Sequence, residues 1–190
     1  MTMTETTADA TEATGRPSLL TIWGLVGTVL LLGKSVVRLS FVAWAGLTHP
    51  SVGPLHLAIA VAWSAFMAWS EGYRGFYMGY SRRVVTRAFA MPGRVRHPLL
   101  MLLAPFVSMG LIYSTRRRYI VSWSVVLGVI GIVVLVRQLS QPWRGLIDLG
   151  VVVGLAMGLV SILIHTRTRL MGGDLGVPVE FHGDPPLRRR

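Results

Sequence analysis

The chain has 190 residues, 52% of them hydrophobic and 14% charged, with a mean hydropathy of +0.57, which moves it from the soluble globular class towards the membrane class. A formal net charge of +11 raises nucleic acid as a partner, but the arginines sit between apolar blocks as in a membrane protein that obeys the positive-inside rule, so nucleic-acid binding is not expected. There is no cysteine, which excludes disulfides, thiolate catalysis and cysteine-ligated metals.

Residues 1–18 are polar, contain Glu5, Asp9 and Glu12, and lack the basic start of a cleavable signal. They cannot bury enough apolar surface to fold alone, and the expectation is a disordered tail. From Leu19 the chain is apolar, so a first helix is predicted that remains as an anchor and runs to about Leu47. It carries Lys34 and Arg38, i,i+4 neighbours on one face.

The run Thr48-His-Pro-Ser-Val-Gly-Pro54 reads as a turn, and from Pro54 no proline recurs until Pro92. That permits a rod of almost forty residues, longer than a bilayer is thick. Its second half, WSEGYRGFYMGYSRR, places Glu71 and Arg74 where the membrane helix still runs. At 100° per residue, Ala68, Gly72, Gly75 and Gly79, with Ser64 one turn earlier, fall in one sector of roughly 80°, a small-residue groove of the GxxxG kind. Tyr73, Phe76, Tyr77 and Tyr80 flank one side of it, and Glu71 and Arg74 the other. If the first two helices form a hairpin about Val52-Gly53, Lys34 and Glu71 lie at equal depth and can pair. Lys34, Arg38, Glu71 and Arg74 then make an intramembrane charge cluster, set against a plainer reading in which Glu71 and Arg74 lie at headgroup level.

Arg82, Arg83, Arg87, Arg94 and Arg96 follow, and after the proline-broken block 98–115 come Arg116, Arg117 and Arg118. All eight are expected to face lipid headgroups, where each cation near an anionic leaflet contributes about 1 kcal/mol. If the 98–115 block is short or re-entrant, both clusters lie on one side; if it crosses, one cluster violates the positive-inside rule. The predicted fold is therefore all-α and polytopic, with four full transmembrane helices plus one short or re-entrant membrane helix, and five spans as the alternative. Both termini are placed in the cytoplasm.

Tyr119 to Val136 is a further span. In QPWRGLID, proline at a helix start and Asp148 in the first turn make Arg144 and Asp148 a helix-start pair that requires no further function. Inside the last span Gly150, Gly154 and Gly158 repeat at four-residue spacing, a helix-packing face whose partner the spacing does not identify. The helical membrane domain is thus residues 19–168, and the proline- and glycine-containing stretch 169–190 is expected to be a disordered tail.

His49, His56, His97, His165 and His182 do not converge on a metal-binding pattern, and no phosphate loop or nucleophile–base spacing is present. No cofactor or metal is implied. The leading expectation is a non-enzymatic integral protein of a bacterial inner membrane, an accessory subunit or assembly factor that packs through its glycine faces against itself or other subunits and touches anionic lipid. The alternatives are a small transporter or membrane enzyme using the charge cluster, and a lipid-binding regulator at the cytoplasmic leaflet.

Overall fold

A computed structural model describes residues 17–179 and 181, with the backbone alone at 117, 118 and 125. The expected tail at 1–18 lies outside these residues except for Pro17 and Ser18. All regular structure among the described residues is helical. Helix α1 spans Leu19–Leu47 and starts where Ser18, in extended conformation, accepts the Thr21 N–H on its hydroxyl at 3.2 Å. Helix α2, Pro54–Met67, begins with proline at its first position, and His56 turns back to accept the Gly53 N–H at 3.3 Å.

The rod predicted from Pro54 is continuous to Ala90 but changes pitch. Residues Ala68–Tyr80 form a π-helix, in which N–H groups bond five residues back, as Ser81 does to Phe76; helix α3, Ser81–Ala90, resumes the α pitch. The proline-broken block contains only two five-residue helices, α4 at Pro98–Leu102 and α5 at Ala104–Ser108, each about 7.5 Å long. Helix α6 is Arg116–Val136 and α7 is Trp143–Leu170. Among the described residues three helices are long and apolar enough to cross a membrane: Leu19–Leu47, Tyr119–Val136 within α6, and Trp143–Leu170.

Helix α7 is the axis of the fold. It packs on α1, α2, the π segment and α3, while α1 makes no extended contact with α2 or the π segment. The expected hairpin of the first two helices is therefore replaced by an arrangement in which the last helix stands between them. The α1–α7 crossing is closest at Gly46 and Gly145, whose backbones leave no room for a side chain: a Cβ on Gly46 would lie 2.5 Å from the Gly145 Cα. At the other end α5 seats on α1, with Pro105 against Gly27 and the Thr28 and Ser108 hydroxyls 2.9 Å apart.

The core at that end joins Val84, Val85, Ala88 and Met91 to Val107 and Ile162, and it also includes Leu175 and Phe181. After α7 the chain reverses at Gly172, whose positive φ of 82° suits glycine, and crosses back over α3. Phe181 is 2% exposed. Within the stretch 169–190, expected as a disordered tail, Leu175 and Phe181 are buried in this core, whereas Met171 and Pro178 are exposed.

Candidate functional site

The tandem glycines of α7 are all buried, and their partner is within the same chain. A Cβ on Gly150 would meet Trp63 at 2.5 Å; on Gly154, Glu71 at 3.3 Å; on Gly158, the Phe76 ring at 2.6 Å. Trp63 further donates its indole N–H to the Ile147 carbonyl at 3.1 Å. The face of the rod that meets α7 therefore runs Trp63, Met67, Glu71 with Gly72, Phe76 and Ser81, at steps of four to five residues.

That spacing explains the π pitch. At the α repeat, the positions following Met67 on one face are 71, 74 and 78, which aims Arg74 at the α7 contact. The wider turn substitutes Phe76 and swings Arg74 to the outside, where its guanidinium lies 5.2 Å over the Trp69 ring. The Tyr73–Tyr77 stack at 5.8 Å and the edge-to-face Phe76–Tyr80 pair at 5.3 Å join residues four apart.

The groove predicted at α pitch is correspondingly altered. Of its glycines only Gly72 is buried, against Met157, where a Cβ would sit 2.7 Å from the sulfur. Gly75 is exposed and has only the Ser70 carbonyl nearby, while Gly79 faces the Arg83 guanidinium, and Ala68 is half-buried.

The four charges expected to cluster are not brought together. Measured from the Gly46–Gly145 crossing, Lys34 lies about 18 Å along α1 and Gly154, which touches Glu71, about 14 Å along α7. Their depths are similar, as expected, but α7 stands between the side chains. Lys34 and Arg38 are exposed on the outer face of α1. Among the described residues Glu71 makes neither an ion pair nor a hydrogen bond.

The arginines divide into two kinds. Arg94, Arg96 and Arg116 are exposed, and Arg82 and Arg83 are half-buried. Arg87, expected among the lipid-facing cations, is instead 4% exposed: its Nε–H donates to the Val107 carbonyl at 3.0 Å and its Nη2 to that of Tyr113 at 3.2 Å. The Phe181 ring lies between Arg87 and Arg94, 4.6 and 5.2 Å from their guanidinium carbons. Tyr113, whose carbonyl accepts from Arg87, has a positive φ of 53°. No sequence signal separates Arg87 from its neighbours except its place between Ala88 and the apolar pair Val84-Val85.

Asp148 is 8% exposed but is the sixth residue of α7, so it lies past the first turn in which the sequence placed it. The helix start is held by Gln141, whose side-chain oxygen accepts the Gly145 N–H at 3.1 Å. Arg144 and Arg137 are the cations whose fields reach Asp148.

Two histidines serve local structure: His165 is buried, with Nδ1–H donating to the Ser161 carbonyl at 2.7 Å and its ring 4.9 Å from Tyr77, and the His56 ring lies tilted against Trp143 at 5.0 Å. Among the described residues no three His, Asp or Glu groups converge as a metal site.

Helix α6 differs from the rest. Only 6% of its apolar window is buried, against 28% for α1 and 33% for α7, and Gly128 and Gly131 have nothing within 4 Å. The Trp123 indole N–H, donating to the Leu111 carbonyl at 3.2 Å, ties its first turns to the preceding loop. Comparison with family models, with characterised proteins and with solved structures finds no match to this chain.

Proposed function

We propose that the protein is a non-enzymatic, multi-pass protein of a bacterial inner membrane, acting as an accessory subunit or assembly factor of a larger membrane complex. The observation that carries this reading is α6, apolar on every side and almost unburied while the other candidate spans are packed. Helices in lipid associate by close packing, and the Gly150–Gly154–Gly158 face is already occupied by this chain's own rod. The surface offered to another subunit therefore passes from the glycine faces to α6.

Four spans are proposed: α1, the rod from Pro54 to Ala90, α6 and α7, with α4 and α5 lying shallow. Two five-residue helices fall far short of the about 30 Å hydrocarbon core. The His56–Trp143 ring contact and the Gly46–Gly145 crossing support a common side for the loops 48–53 and 137–142. Arg94, Arg96 and Arg116 belong to the opposite, cytoplasmic side with the end of α7, where they meet anionic lipid. A transporter or membrane enzyme built on Lys34, Arg38, Glu71 and Arg74 is less well supported, because that cluster does not assemble.

A photo-crosslinking residue placed in turn at Leu127, Ile130 and Val134 of α6 tests the subunit reading in native membranes. The expected result is one protein adduct in stoichiometric yield that also survives mild detergent extraction. Adducts to lipid alone at all three positions would remove the reading.

A further inference from the structure

Glu71 is the one charge of the expected cluster that lies against another helix, and it does so at mid-depth if the rod spans the membrane as proposed above, a reading on which this inference rests. Helix α7 carries no Asp, Glu, Lys or Arg between Asp148 and Arg167, a length of about 27 Å, and Gly154 stands about 5 Å from its centre. A Cβ on Gly154 would lie 3.3 Å from both Cβ and Oε2 of Glu71, so glycine at this position leaves the room the carboxyl occupies.

No cation faces it. Along the contact α7 presents Gly150, Gly154, Met157 and Gly158; its nearest titratable groups, Asp148 and His165, are six residues before and eleven after Gly154, and His165 is turned to Tyr77. On the rod itself Arg74 is drawn onto Trp69, and Arg82 and Arg83 lie beyond the π segment, with Arg83 beside Gly79. Helix α2 contributes no charged residue, and α3 contributes only Arg82, Arg83 and the buried Arg87. Lys34 is on the far side of α7. Beside Glu71 the Ser70 hydroxyl is buried with no hydrogen-bond partner, and so is that of Ser64.

A carboxylate without a cation or donor is poorly tolerated in hydrocarbon, and the change that relieves it is uptake of a proton. The other side of Glu71 is exposed on the outer surface of the fold, where lipid lies. We propose that Glu71 is a membrane-embedded proton-binding site, opening to lipid on one side and backed by Gly154 on the other. The step is –COO⁻ + H⁺ → –COOH, with no other bond changed. This site is independent of any partner of α6.

The test uses the full chain in lipid vesicles and a pair of carbodiimides, which react with a protonated carboxyl: its O–H adds across a C=N bond to give an O-acylisourea, and the acyl group then shifts from oxygen to nitrogen to leave a stable N-acylurea located by peptide mass spectrometry. The membrane-soluble dicyclohexyl reagent is expected to modify Glu71, with the yield falling about tenfold per pH unit once the carboxyl is mostly ionised. A water-soluble, charged carbodiimide is expected to leave it unmodified, and Glu71→Gln to abolish the adduct. Equal modification by both reagents would show a water-facing carboxylate and overturn the proposal. So would no modification by the membrane-soluble reagent across the pH range, a pH-independent yield, or an adduct that survives Glu71→Gln.

Discussion

The α1–α7 crossing brings the Gly46 and Gly145 backbones together, and replacing Gly145 with alanine tests whether this contact holds α1 on α7. The new Cβ would meet only backbone: the Gly46 Cα, the Val42 carbonyl oxygen at 2.7 Å and the Gly46 nitrogen at 2.8 Å. No side chain is there to swing away, so relief requires the two helices to separate by about 1 Å, a gap at which neighbouring contacts already lose a quarter to a half of their dispersion energy. Overpacking of this kind costs about 1–3 kcal/mol. Taking about 2 kcal/mol, the thermal midpoint of a chain this size falls by about 4–8 °C. Gly33→Ala on the same helix α1 is the control, since nothing lies within 4 Å of its Cβ position; there helix propensity alone acts, and the midpoint should hold or rise slightly. The assay is thermal unfolding of each purified variant in one mild detergent, followed by near-ultraviolet circular dichroism. Equal midpoints for the Gly145→Ala and Gly33→Ala variants would refute the crossing as the contact that fixes α1.

Arg87→Met keeps volume but strands the carbonyls of Val107 and Tyr113, each having lost a charged donor bond of about 1.5–3 kcal/mol, so its midpoint should fall further than that of Arg96→Met at the exposed arginine. Phe181→Ala should lower stability by about 3–5 kcal/mol if the ring is core, and a change within error in the same unfolding assay would place it outside the core. Gly154→Leu should destabilise the isolated protein rather than weaken its association with other subunits; intact stability with lost association would return that glycine face to an external partner. With no native cysteine, Ser51→Cys and Ser140→Cys should react with a membrane-impermeant maleimide from one side and Arg94→Cys from the other, which labelling of intact cells against inverted vesicles checks.

Much of the helix content was legible in the apolar blocks and in the prolines at 17, 54, 98 and 142, each of which stands at or just before a helix start. Pairing was not. The glycine stripe of α7 announces a close contact because its small residues share one face of one helix. The Gly46–Gly145 contact joins two helices far apart in the chain, and neither glycine has a small residue four positions away to mark it. The groove at Gly75 and Gly79 was lost for a different reason, since its geometry assumed an α repeat that the π segment does not keep. In the charge cluster, equal depth was readable from residue counting, whereas the position of α7 between the two helices was not. Arg87 and Phe181 escaped because local composition gave the wrong context: one sits in an arginine-rich stretch and the other among prolines and glycines.

The return of the chain to Phe181 also orders biogenesis. Phe181 follows every described helix in sequence, yet it fills the space against Arg87 on the rod. During synthesis α1, the rod and α6 therefore emerge while that end of the core is still open, and in the proposed four-span arrangement the Arg87 guanidinium then faces water or lipid headgroups. Closure comes only after α7 has been inserted, so the last packing event is a check that the helices before it have reached their places.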